Sequence, residues 1–163
     1  NESLASKLRD ILIDNELTIS AAESMTAGLF QSELAAVPGM GVALVGGIIT
    51  YTEEVKINQL GVKRETIDEH SVVSSQVAEE MASRVKEKFE TTIGIGITGA
   101  AGPDGHGDQP AGTVWIGIAY GDVAPISYKL NLSGMRNTNR LRTVKFTIHY
   151  LIRLLREEGL SKI

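Results

Sequence analysis

Two residues in this sequence could supply a nucleophile and a base: Ser24, within Glu23-Ser-Met-Thr-Ala-Gly28, and Lys56, within Tyr51-Thr-Glu-Glu-Val-Lys56. A serine at a strand-to-helix turn has two uses. It can cap orphan N–H groups at the helix start, or attack an electrophile while such groups hold the developing negative charge. Spacing alone favours the cap, through Ser24 or Thr26. The glycine-flanked nucleophile elbow, Gly-x-Ser-x-Gly, is absent. A lysine serves as a base only when its amine is neutral, which needs burial or neighbouring positive charge. Otherwise Lys56 reads as a surface cation paired with Glu53 or Glu54.

The segment Thr98-Gly-Ala-Ala-Gly-Pro-Asp-Gly105 forms a backbone nest in prospect, with Gly99, Ala100 and Gly102 placed to offer N–H groups to a phosphate or oxyanion. It overlaps Gly94-Ile-Gly96-Ile-Thr-Gly99, which matches the dinucleotide pattern Gly-x-Gly-x-x-Gly. There, however, the glycines fall within a strand and no helix follows, so a dinucleotide fold is rejected. Of three histidines, His70 and His149 read as surface or structural residues. His106 sits between Asp104 and Asp108, a possible chelating trio without an EF-hand or His-Glu-x-x-His pattern. A polar loop is the better reading, and no metal is expected.

These residues must be positioned by regular elements. Leu4, Leu8, Ile11 and Leu12 recur at helical spacing, as do Val77, Met81, Val85 and Phe89 behind a Ser74 cap. Val144, Ile148, Leu151 and Leu155 mark a long final helix. Leu29–Leu34 and Glu53–Leu60, the latter ended by Gly61, predict two shorter ones. Strands are expected over Leu17–Ala22, Gly41–Tyr51, Thr91–Thr98, Gly112–Tyr120 and Val123–Leu132. The last two are paired antiparallel across Gly121-Asp122, and Gly46-Gly47 suggests a bulge or close approach. Five strands interleaved with helices predict an α/β fold: a three-layer α/β/α sandwich with a mixed, mostly parallel sheet buried on both faces. Ligands in such sheets sit beyond the carboxyl ends of the strands, where Glu23–Gly28, Tyr51–Lys56 and Thr98–Gly105 all fall.

The 163 residues suit one domain spanning 1–163, since domains run to about 100–200 residues. Without cysteine there is no disulfide framework and no thiol nucleophile. No apolar run approaches the ~20 residues of a membrane span and no signal peptide opens the chain, so a cytoplasmic protein off the membrane is expected. The net charge is −4, yet Val123–Arg156 carries seven basic residues and no acidic one. A cationic stretch on an acidic chain suits a small phosphate-bearing molecule. Nucleic-acid binding is not expected, because aromatics are only 5% and the net charge is negative.

Taken together, Ala22–Gly28, Tyr51–Lys56, Leu60-Gly-Val62, Gly96–Pro103 and Gly112-Thr-Val-Trp115 resemble the CinA C-terminal domain family over nearly the whole chain, in order and with matching gaps. The resemblance implies a nicotinamide mononucleotide amidohydrolase. Such an enzyme converts its substrate to nicotinate mononucleotide and ammonia in pyridine nucleotide recycling, without a cofactor. It implies Ser24 as nucleophile, Lys56 as base, and Tyr51 and Thr98 as orienting or proton-transferring groups. Substrate would be bound by Thr26, Gly99, Ala100 and Gly102, and its phosphate by Arg136 and Arg140. The family also implies a homodimer or higher oligomer, and in some members fusion to a molybdopterin-binding-like domain. This sequence departs from the family pattern at Met25 (Cys), Ala27 (Gly), Glu53 (often Asn) and Met135 (Asp or Asn). The alternative is a pyridine-nucleotide-binding or interaction domain with reduced catalysis.

Overall fold

The computed structural model describes residues 2–160. In chain order the elements are α1 (Leu4–Asp14), β1 (Ile19–Glu23), α2 (Leu29–Ala35), β2 (Leu44–Ile49) and α3 (Glu53–Val55). Then come α4 (Arg64–His70), α5 (Ser75–Phe89), β3 (Ile93–Gly99), β4 (Thr113–Tyr120), β5 (Ile126–Asn131) and α6 (Arg136–Glu157). Helix α3 runs directly into a π-helical turn over Lys56–Leu60, closed by Gly61 at φ 88°. The predicted helix over Glu53–Leu60 is therefore present, but its second half is wound wider than an α-helix.

The sheet order is β2-β1-β3-β4-β5. Strands β1, β2 and β3 are parallel, whereas β4 is antiparallel to both β3 and β5. Two parallel and two antiparallel pairings make the sheet evenly mixed rather than mostly parallel. Strand β2 also departs from expectation. As an edge strand with only one neighbouring strand, it leaves Val45 and Ile49 about half exposed. The irregularity foreseen near Gly46-Gly47 falls at Val45, where the β1–β2 register slips by one residue. At Gly47 a Cβ would come within 2.4 Å of the Ala21 carbonyl and the Gln31 side chain.

The alternation along β3 sets the layers. Ile93, Ile95 and Ile97 enter a core shared with Leu8 and Leu12 of α1, Phe30 and Leu34 of α2, and Ile148, Leu151 and Leu155 of α6. Gly94 and Gly96 face the other side, where α5 lies. A Cβ at Gly94, Gly96 or Gly117 would sit 2.2–2.4 Å from the Ala82 or Ala78 carbonyls. The first two glycines of the Gly-x-Gly-x-x-Gly pattern are thus a helix-packing device that lets α5 press onto the sheet, while Gly99 abuts Thr113 and Val114. On that side Val77, Met81 and Val85 join Leu60, Val62 and Ile67 in a second core.

Helix α4 was not visible in the sequence, since Ile67 is its one buried residue. Helix α5 is capped as predicted, Ser74 Oγ accepting from Val77 N–H at 3.2 Å. His70 and His149 are both exposed. Among the described residues no helix is long and apolar enough to cross a membrane.

Candidate active site

Strands β1 and β2 end level with one another, and β3 runs two residues further. Glu23 pairs with Ile49 and with Ile97, and the chain beyond β1 stays in register, with Ser24 N–H donating to Ile97 O at 3.0 Å. The turn that follows is not capped by Ser24 or Thr26. The residue at the start of α2 is Gly28, at φ 96°, which has no side chain to offer. Glu23 does the capping instead. Its fully buried carboxylate accepts from Phe30 N–H at 2.8 Å, from Gln31 N–H at 3.1 Å and from the Gln31 amide at 2.8 Å. A charged acceptor is the stronger cap and complements the positive end of the helix. Ser24 is thereby released from the duty that spacing assigned to it. Ala27, where the family pattern has glycine, sits at φ 47° within this tight turn.

Lys56 reaches the same point from the other direction. Thr52 Oγ1 accepts from Val55 N–H at 3.2 Å and starts the short helix, and Lys56 opens the π turn that follows. Its amine donates to Thr50 O at 2.7 Å, to Ser24 Oγ at 3.0 Å and more weakly to Tyr51 O at 3.4 Å. Lys56 is only 1% exposed. Burial pulls its pKa down to about 8, against a smaller upward pull from the Glu53 carboxylate. Among the described residues no carboxylate forms an ion pair with it. At neutral pH roughly one amine in ten is then uncharged. The surface-cation reading of Lys56 is set aside by this burial.

A cleft of about 410 Å³ opens over the pair, within the usual range for small-molecule sites. Tyr51, Thr98, Arg136 and the loop 99–106 line it together with Ser24 and Lys56. Thr98 is held by donating to Val72 O at 2.8 Å. The Tyr51 hydroxyl accepts from Arg136 Nη2 at 2.9 Å, while Arg136 Nη1 donates to Gly102 O at 2.6 Å. The loop is thus less of a nest than expected. Ala100 N–H is committed to Thr113 O, and Gly102 turns a carbonyl to Arg136. Asn139, unremarked in the sequence, ties the loop to α6: its buried amide donates to Ala101 O at 2.9 Å and to Gly134 O at 2.8 Å.

Two other expected ligand residues lie outside the cleft lining. Thr26 is fully buried, its hydroxyl without a partner. Arg140 turns its guanidinium to the backbone of the turn after Ser24. Asp104 and His106 line the mouth of the cleft, but among the described residues no three His, Cys, Asp or Glu side chains gather where a metal could be held. Asp104, His106 and Asp108 do not gather into the chelating trio that their spacing allowed. His106 instead pairs with Gln109 through its backbone, at 2.9 and 2.8 Å. Much of the cationic segment is surface as well, Arg153 stacking on Tyr128 and Tyr150.

Fold and site together define a three-layer α/β/α domain with a buried serine–lysine contact at the carboxyl ends of its parallel strands. The chain belongs to the CinA family: the model of the CinA C-terminal domain matches residues 1–155. It is 62% identical over 162 residues to a competence-damage inducible protein of Lysinibacillus sphaericus, and 45% identical over 157 residues to one of Levilactobacillus brevis. These alignments cover 99% and 96% of this chain but only 39% and 38% of the relatives. The chain therefore spans well under half of their length. Solved structures agree in fold. A CinA superfamily protein of Escherichia coli superposes with a TM-score of 0.90 at 33% identity, covering 93% of this chain and 88% of that one. Another from Klebsiella pneumoniae gives 0.91 at 29%, covering 94% and 96%.

Proposed function

We propose that this domain is an amidohydrolase that deamidates nicotinamide mononucleotide, with Ser24 as nucleophile and Lys56 as base. The observation that carries the reading is the 3.0 Å contact between Ser24 Oγ and a buried amine whose pKa is brought down to about 8. Neutral Lys56 takes the Ser24 proton as Oγ adds to the carboxamide carbon. The N–H groups of Met25 and Thr26 have no acceptor among the described residues and stand beside Ser24 to receive the oxyanion. The Lys56 ammonium then protonates the departing amide nitrogen, and ammonia leaves a nicotinoyl ester on Ser24. Water attacks that ester, gives its proton to Lys56, and expels Oγ, which recovers the proton.

Arg136, at the cleft wall and held against Tyr51, suits the substrate phosphate. Tyr51 accepts its hydrogen bond from Arg136, so its own O–H proton stays free to donate to the substrate. The test is ammonia release from nicotinamide mononucleotide. Ser24→Ala and Lys56→Ala each abolish it while leaving the circular dichroism spectrum unchanged, and nicotinamide riboside, without the phosphate, turns over poorly. Mononucleotide binding by the parent protein without ammonia release would point instead to a binding domain.

A further inference from the structure

We infer that Arg140 is a positioning residue for the nucleophile turn rather than a phosphate ligand, an inference that rests on the amidohydrolase reading. Its Nε donates to Met25 O at 2.9 Å and its Nη2 to Thr26 O at 3.1 Å, while Nη1 meets Asn137 Oδ1 at 3.2 Å. The planar guanidinium therefore spans two successive carbonyls directly after Ser24. Among the described residues Met25 O has no other donor, and no carboxylate pairs with Arg140.

Peptide units are planar and trans, so a carbonyl fixed in direction also fixes the N–H on the opposite side of its plane. Holding Met25 O toward α6 aims Thr26 N–H away from α6, and Thr26 N–H is one of the two unengaged donors beside Ser24. The turn needs this support. It contains Ala27 at φ 47° and Gly28 at φ 96°, and the capping of α2 comes from Glu23 ahead of it rather than from a side chain within it. Arg136, one turn earlier on the same helix, lines the cleft, whereas Arg140 does not. The two arginines divide the work: Arg136 faces the ligand, and Arg140 faces the turn.

The experiment compares Arg140→Lys, Arg140→Gln and Arg136→Ala in mononucleotide turnover and in a second assay, the rate at which a fluorophosphonate modifies Ser24, followed by intact mass. Arg140→Gln should lose about 10²-fold in kcat and Arg140→Lys a smaller factor, each with KM within threefold, as expected when a reacting group is displaced by about 1 Å. Both should slow Ser24 modification similarly. Lysine should recover only part of the rate, since a single ammonium cannot span two carbonyls. Arg136→Ala should raise KM and leave Ser24 modification unchanged. A raised KM with unaltered kcat in the Arg140 variants would overturn the inference, as would undiminished Ser24 modification. If the parent releases no ammonia the deamidase reading fails, and the modification rates still judge the role of Arg140. If Arg140→Gln does not fold, the lysine variant decides.

Discussion

Ser24 Oγ lies 3.0 Å from Lys56 Nζ where the neighbouring parallel strands β1 and β2 run out side by side. Thr50 N–H donates to Glu23 O, so the two chains leave the sheet in step, and a short capped helix carries Lys56 back over the strand ends. The contact is thus made by sheet register and one helical turn, neither of which depends on a flexible loop. Such placement on regular elements holds the serine–lysine pair at hydrogen-bonding distance.

Activity should rise with pH. In the proposed reaction Lys56 acts as a neutral base, so kcat/KM should climb through its pKa of about 8. Glu53 pulls that value upward, so Glu53→Gln should move the rising limb to lower pH and increase the rate at pH 7. A pH–rate profile of the two proteins checks this. An unmoved limb would detach Glu53 from the site.

Stability should carry the same titration. The unfolded lysine titrates near 10.5 and the folded one near 8, so between these values the unfolded chain holds a proton that the folded chain lacks. The parent should therefore gain stability as pH rises across that window, by about 3 kcal/mol in all relative to Lys56→Met. Below pH 8 the difference stays constant. Denaturant titrations of both proteins at pH 7, 9 and 10.5 measure it.

Glu23 should matter for the fold as well as for the site. Glu23→Ala leaves Phe30 and Gln31 N–H without their acceptor and should cost about 2–4 kcal/mol. Glu23→Gln keeps one acceptor oxygen and should cost less. Thermal melts would show the order parent, Gln, Ala, and equal melts for all three would remove the capping role.

Helix α6 starts without a side-chain cap. Met135 occupies the cap position with extended backbone angles, φ −70° and ψ 163°, and is 83% exposed. Met135→Asn places an acceptor there and should add about 1 kcal/mol, seen as a Tm rise of a few degrees. A lower Tm would contradict the geometry.

Wherever periodicity carried the signal, the fold was legible. The apolar repeats of α1, α5 and α6, the β-branched runs of β3 and β4, and β5 beyond the Gly121-Asp122 turn all form the expected elements. Two kinds of feature escaped. Helix α4 buries only Ile67, so its stripe is too thin to read, and the edge position of β2 is a property of strand order, which no local pattern encodes. In the site, Ser24, Lys56, Tyr51 and Thr98, far apart in the chain, line one cleft. The work of Glu23 was hidden because a glutamate before a turn resembles any surface acid until its distance to α2 is known. Asn139 and Arg140 act through backbone carbonyls over a hundred residues away for Arg140 and 38 for Asn139, and such partners have no sequence signature.

The bare faces of Gly94, Gly96 and Gly117 have a further reach. Since α5 rests directly on them, even an added methyl would lift the helix and drag the Val72–Ser74 stretch leading into it, the stretch to which Thr98 is anchored. A saturation library selected for working protein would lose nearly every allele at these three codons, although none of them borders the cleft. Intolerance mapped in that way would trace the rear support of the cleft rather than its lining.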